Sequence, residues 1–190
     1  TKVEIFAHPF ALPEVWKFSN YVEAWKGANM SRYFVNSLIQ SGATVILLAL
    51  IASMASFMLA RFNFKFNKWL MGFFMIGMMV PMHTVLVPVA YVIGALGLKN
   101  NIPALIMVYI AFNLPFSIMV TTNFMRGINQ SLEEAALIDG ATYGQIYRHV
   151  VMPLSIPAIS TISIFNFLGA WNDFVTPLYL LSDSNKMGIC

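Results

Sequence analysis

Cysteine and charge are what this chain has least of. A single cysteine, Cys190, leaves no partner for an internal disulfide and no thiol pair for metal or redox chemistry. Charged residues make up 10% of the 190 while 58% are hydrophobic, and the mean hydropathy is +0.71, so the solvent for most of this chain is lipid rather than water. The net charge of +3 is scattered rather than gathered with aromatics on one face, which argues against nucleic-acid binding. No G-x-x-x-x-G-K-[ST] occurs, so the chain lacks the usual phosphate-cradling loop of an ATP-hydrolysing subunit. His8, His83 and His149 are far apart and have no companion cysteines or clustered carboxylates, which argues against a metal site or histidine-based catalysis. There is no internal repeat, low-complexity tract or heptad series. The opening TKVEIFAHPFALPEVWKF carries charges and two prolines and does not read as a signal peptide. Both ends are expected to have been cut from something longer.

Long apolar runs are what the chain does have. Tyr33 to Ala60 carries no charge and exceeds the roughly 20 residues a spanning helix needs. Residues 69–98 form a second run, interrupted by Pro81 and Pro88 and therefore expected as a kinked or broken helix. A third covers 102–125, with Pro103 placed to start it and Pro115 to bend it. The fourth, 154–181, places Asp173 and Pro177 near its far interface. These spans define an all-α polytopic transmembrane bundle forming one domain. The loop 61–68 holds Arg61, Lys65 and Lys68 without an acid, whereas the opposite short loop holds Lys99 alone. Positive residues favour the cytoplasm, which puts 61–68 and 126–153 inside and residues 1–31 outside. The lysines of that N-terminal segment are offset by Glu4, Glu14 and Glu23.

Between the third and fourth runs lies a polar insert, SLEEAALIDGATYGQIYRHVVMPLSIP, from Ser131 to Pro157. Ser131 and Glu134 have capping-box spacing, which predicts a helix from Leu132 to Ile138 closed by a left-handed Gly140. Thr142 and Gln145 repeat the spacing, which predicts a second helix from Tyr143 to Met152. Gly140 and Gly144 have a GxxxG spacing, read here as bending rather than dimerisation because it lies in a loop. On the first helix Ala135 and Ala136 are small, so another backbone can approach closely, and Glu133, Glu134 and Asp139 supply acids at the rim. On the residues alone two readings stay open: a docking surface for another protein, or a capped helix lying at the membrane surface. Acids rather than lysines on the helix weigh against the second.

The run Glu134, Ala135, Ala136, then Asp139, Gly140, Ala141, then Ile146, and Met152 and Pro153 ahead of Pro157, resembles the EAA loop of binding-protein-dependent ABC importer permeases. Met152 stands where that pattern has leucine. Asn20–Tyr21, Asn36 to Leu38 and the WNDF run from Trp171 to Phe174 resemble the carbohydrate-uptake branch, of the maltose and glycerol-phosphate type. The resemblance implies that residues 132–139 form a coupling helix seated in a groove of a cytoplasmic ATPase, with Glu134, Ala135, Ala136, Asp139, Gly140 and Ala141 as coupling residues. It implies a multi-pass protein of a bacterial-type inner membrane with six helices, of which about four are present here. The implied partners are a cytoplasmic ABC ATPase dimer, a second permease subunit, an extracytoplasmic solute-binding protein and membrane lipid. The chain would bind no cofactor, ATP being used by the partner subunit, and would do no chemistry.

Within the spans, Asn113, Asn172 and Asp173 are candidates for a pathway of a hydroxyl-rich solute, since amides and carboxylates pair with sugar hydroxyls. Trp171 could stack on a sugar face, and Asn166 is a further polar candidate. The bland alternative is that these groups bridge helices or, for Asp173, sit in interfacial water. For His83 it is an imidazole hydrogen-bonded beside the proline break. The opposing functional class is a secondary transporter or channel independent of an ATPase, suggested by the proline-broken spans and intramembrane polar residues.

Overall fold

The computed structural model describes residues 17–183 and 186–189. His8, Cys190 and residues 1–16 of the expected extracytoplasmic segment lie outside them. The described residues form helices and no strand, as the all-α expectation requires.

A short surface helix, α1 (Ser19–Gly27), turns through a left-handed Asn29 (φ 51°) into α2 (Met30–Arg61). At 1.5 Å per residue α2 is about 48 Å long, more than the roughly 30 Å of a hydrocarbon core. Its inner stripe runs Ser37, Ser41, Thr44, Leu48, Ala52, Ser56, Leu59, at spacings of three and four, and most of these residues are small. Small residues let a neighbouring backbone come close, the main source of helix association where lipid supplies no hydrophobic drive. The partner is α5 (Ile102–Arg126), where the Ser56 hydroxyl donates to the Ile118 carbonyl at 3.1 Å. Other buried hydroxyls are satisfied within α2: Ser41 donates to the Ser37 carbonyl at 2.6 Å and Thr44 to that of Gln40 at 2.7 Å.

The second apolar run is broken rather than kinked. It forms α3 (Asn67–Met78) and α4 (Met82–Ala95), whose axes lie 98° apart. Pro81 makes the break, extended at φ −71° and ψ 121°, while Pro88 sits inside α4. The pair still carries the chain from one end of the bundle to the other. It starts where the Asn67 amide donates to the carbonyls of Leu59 and Phe62, and it ends with Ile93 and Leu98 in the cluster at the far end.

The fourth run, expected as one span over 154–181, is made of more than one helix. A short helix, α8 (Met152–Leu154), ends at Ser155, and α9 (Ile156–Asn172) leaves at about 70°. Helix α9 stops at Asn172 because Asp173 is extended (ψ 115°), and a short α10 (Val175–Leu180) follows. The carboxylate Oδ1 of Asp173 accepts from the backbone N–H of Val175 at 2.9 Å and of Thr176 at 3.2 Å, capping α10. The apolar run therefore contains a helix start that its hydropathy does not reveal.

Helices α2, α5 and α9 form the centre, around Ala52, Leu59, Ile118 and Ile162. One end is closed by Ile93, Leu105, Tyr109 and Leu180. The other is closed by Phe57, Met125, Ile146 and Val151, beneath the polar insert. Residues 186–189 lie along α2, where the amides of Asn36 and Gln40 donate to the carbonyls of Met187 and Lys186 at 2.9 Å. Two helices, α2 and α5, are long and apolar enough to cross a membrane, or up to four spans if each bent pair counts as one. Large apolar side chains such as Trp69 (79% exposed), Phe73 (70%) and Tyr91 (78%) face outward, an arrangement suited to lipid contact.

Candidate functional site: the helical insert and its anchorage

The insert folds as two short helices around a glycine, and local sequence accounts for most of it. Helix α6 (Ser131–Ile138) ends in a full Schellman arrangement. The Gly140 N–H bonds the Leu137 carbonyl at 3.0 Å, and the Ala141 N–H bonds that of Ala136 at 2.9 Å. Gly140 is left-handed, with φ +83°. A β-carbon there would meet nothing within 4 Å, so glycine answers to the backbone angle and not to crowding. Helix α7 (Tyr143–Ile146) begins with the expected capping box. The Thr142 N–H donates to Gln145 Oε1 at 2.8 Å, and the Gln145 N–H donates to Thr142 Oγ1 at 3.4 Å.

The start of α6 departs from the expectation. Ser131 is the first helical residue and no Ser131–Glu134 capping box forms. The turn before the helix serves the early donors instead. Ser131 N–H bonds Asn129 Oδ1 at 3.1 Å, and the N–H groups of Glu133 and Glu134 bond the Gln130 carbonyl at 2.9 and 3.0 Å. The Gln130 backbone is already helical, at φ −65° and ψ −22°, so no extended cap residue is available to accept.

Between α7 and α8 lies a π-helical turn, Tyr147–Val151. In an α-helix two residues five apart point about 140° away from each other. The wider turn lets both Ile146 (1% exposed) and Val151 (0%) enter the cluster with Phe57 and Met125.

Three contacts fasten the insert to the end of α2. Arg61, the last residue of α2, forms an ion pair with Glu133 of α6, Nε to Oε1 at 2.5 Å, with only 5% and 11% of the two side chains exposed. The guanidinium also donates from Nη2 to the Ile128 carbonyl at 3.2 Å, while Nη1 is buried without a partner among the described residues. The Tyr147 hydroxyl lies 2.8 Å from Ser53 Oγ. The rings of Phe57, Phe62, Tyr143 and Tyr147 pack at centroid separations of 5.1 to 5.9 Å.

This anchorage divides the insert into two faces. Glu133 was expected as an acid at an outer rim, but it turns inward to Arg61. Ala136 and Ala141 are half-buried against the Phe57–Met125 cluster. Glu134, Ala135, Asp139 and Gly140 are exposed, and Ile138 is 85% exposed. Beside it an open hollow of about 370 Å³ lies between α6 and α7, lined by Asp139, Gly140, Gln145 and His149 among others. Sequence reading missed both Ile138 and the Arg61–Glu133 pair. The helical period could have found the first, since Glu134, Ala135 and Ile138 share one face while Glu133 and Ala136 share the other.

The polar candidates inside the bundle are mostly engaged in structure. The Asn113 amide donates to the Tyr109 carbonyl at 2.8 Å, one turn back in α5. Buried Asn166 joins α9 to α5 through Ser117 Oγ at 3.2 Å and donates to the Ile162 carbonyl at 2.6 Å. Asp173 caps α10. Asn172 is exposed at the end of α9. Trp171 stacks on Phe167 with centroids 5.5 Å apart and meets Phe34 edge-on, also at 5.5 Å. His83 is exposed in the first turn of α4, and His149 Nδ1 lies 3.1 Å from the Gln145 carbonyl. No group of three or more metal-ligating side chains occurs among the described residues.

A bundle of apolar helices carrying a fastened polar hairpin at one end defines a membrane component. Residues 46–189 match the family described as the binding-protein-dependent transport system inner membrane component, and the chain belongs to that family. It is 38% identical to the diacetylchitobiose uptake system permease protein NgcG of Streptomyces coelicolor, over 96% of this chain and 61% of that protein. Identity is 34% to the probable ABC transporter permease protein YurM of Bacillus subtilis, over 96% of this chain and 60% of the relative. It is also 34% to the trehalose transport system permease protein SugB of Mycobacterium tuberculosis, over 89% and 62%. The chain thus spans about three fifths of the length of these relatives. The fold is shared with a bacterial ABC transporter involved in the import of the acidic polysaccharide alginate. The TM-score is 0.82, with 95% of this chain and 63% of that one covered at 24% identity.

Proposed function

We propose that this chain is the membrane-spanning part of a permease subunit of an ATP-driven ABC importer. It forms, with a second permease subunit, the pathway for a sugar or related polyol-type solute. The observation that carries this reading is the exposed face of α6, with Glu134, Ala135, Ile138 and Gly140 outward, on a helix pinned to α2 by the buried Arg61–Glu133 pair. A small-residue face with one apolar knob fits a groove in a cytoplasmic ATPase dimer, and the ion pair passes displacement of α6 directly to a helix long enough to span the membrane. ATP is used by that partner, and this chain binds no cofactor. Solute is delivered by an extracytoplasmic binding protein, and the loops 61–68 and 126–153 face the cytoplasm. The carbohydrate class is supported by the names of the relatives, which include uptake systems for diacetylchitobiose and trehalose. Of the pathway candidates Asn172 stands foremost, because Asn113 and Asp173 already serve backbone groups.

The test is uptake and ATPase co-purification in the full-length complex carrying Glu134→Lys or Ile138→Asp. Both variants are expected to insert normally, to lose the ATPase and to stop uptake. Full ATPase retention by both would overturn the docking role, and uptake that persists on an ion gradient with the ATPase inactivated would point to a secondary transporter.

A further inference from the structure

Away from the insert, a second groove of about 390 Å³ opens between α3 and α5 at the same end of the bundle. Its rim is cationic: Lys68 in the first turn of α3 and Arg126 at the end of α5, with the Asn123 amide beside them. Its wall is apolar and soft, formed by Met71 and Met75 of α3 and Met119 of α5, with Gly72 leaving the space open. Among the described residues no carboxylate pairs with Lys68 or Arg126. Trp69 (79% exposed) and Phe73 (70%) face outward on the opposite side of α3, away from the groove, as aromatics do where a span meets lipid.

We propose that this groove holds one anionic glycerophospholipid, with its phosphate between Lys68 and Arg126 and the start of an acyl chain along Met71, Met75 and Met119. The charge complementarity selects the occupant. Arg126 gives one Nη2 donor to the Leu59 carbonyl at 3.3 Å and keeps others. Two cations without a carboxylate partner among the described residues stand above an apolar trough and match a phosphate joined to a hydrocarbon chain, and basic pockets between spans are a recurring form of headgroup recognition. Flexible methionines suit an acyl chain of variable shape. The leaflet, the cytoplasmic one, rests on the orientation proposed above, but the binding itself does not.

Native mass spectrometry of the full-length complex, delipidated and titrated with phosphatidylglycerol or phosphatidylcholine of the same chains, tests the site. Phosphatidylglycerol should be retained in preference. Lys68→Gln should weaken its binding about fivefold, since one basic residue at a membrane surface contributes about 1 kcal/mol. Gly72→Leu fills the trough without touching a charge or lowering helix propensity, and should remove one phosphatidylglycerol from the count. Equal retention of the two lipids would overturn the proposal. So would unchanged phosphatidylglycerol binding in both variants, the result expected if another helix of the complex occupies the groove. Glycerol phosphate binding as tightly as the whole lipid would reassign the site to a soluble phosphate. None of these outcomes bears on ATPase docking, so the two readings fail separately.

Discussion

Removing the Glu133 carboxylate, or its Arg61 partner, is the perturbation whose consequence can be worked furthest. With only 5% and 11% of the two side chains exposed, little water reaches the pair. Deleting one member of such a pair typically costs about 3–5 kcal/mol, because the other charge stays buried and uncompensated. The pair sits between a short helix and the end of a long one, so the strain has a local outlet: α6 can swing away from α2 and let water reach the orphaned ion. At about 1.4 kcal/mol per tenfold, even the lower figure moves that opening equilibrium by a hundredfold or more. Arg61→Met in the full-length complex should therefore raise hydrogen exchange sharply over residues 131–138 and leave the centre of α2 protected. ATP hydrolysis should become poorly coupled to uptake. The double variant Arg61→Met/Glu133→Leu, which leaves no charge behind, should recover most of the protection. Unchanged exchange over 131–138 in the single variant, or a double variant worse than the single, would refute the mechanical reading of this pair.

Four further outcomes follow from the geometry. Gly140→Ala should destabilise the insert by about 1–2 kcal/mol, because only the left-handed backbone opposes a β-carbon there. Gly144→Ala, where the angle is ordinary and the space open, should be neutral or mildly stabilising in the same thermal-melting assay. Tyr147→Phe keeps the ring packing but loses the 2.8 Å contact with Ser53, a loss of about 1 kcal/mol readable from the melting temperature of the purified complex. Asn166→Ala should lower thermal stability by breaking the tie to Ser117 while leaving the uptake KM unchanged; a KM shift with normal stability would restore Asn166 as a solute contact.

What could be read in advance was whatever depends on neighbours in sequence. Gly140, with an acid before it and a capping pair after it, announced the bend, and Thr142 with Gln145 announced α7. The same reasoning failed at Ser131, because Asn129 and Gln130 form a turn that is already helical and takes over the early donors. Two prolines marked the second apolar run, but nothing local distinguishes Pro81, which breaks it, from Pro88, which α4 absorbs. The end of α9 was legible in principle: Asp173 lies three residues before Thr176, the spacing of a helix cap, and its apolar surroundings hid the signal. The Arg61–Glu133 pair spans 72 positions, and only the packing of α2 against α5 brings its ends together.

The π-helical turn at Tyr147–Val151 has a bearing on the outward face that lies a dozen residues upstream. One surplus residue in a helix shifts the angular phase of everything before it by about 100° relative to everything after it. The π-helical turn absorbs that surplus, so Ile146 and the insert before it keep the azimuth of Val151. Deleting one residue, His149 for instance, would let the turn relax to an ordinary helix with its hydrogen bonds complete. Ile146 would then stand four residues before Val151, about 40° away on the same face, and would stay in the Phe57–Met125 cluster, whereas straightening the turn with every residue kept would swing Ile146, and with it Ile138 and Glu134, to about 140° from Val151. In this protein the orientation of the exposed face is thus set by the width of one turn, and a chain chemically intact in every side chain of α6 would present the wrong side if that turn straightened.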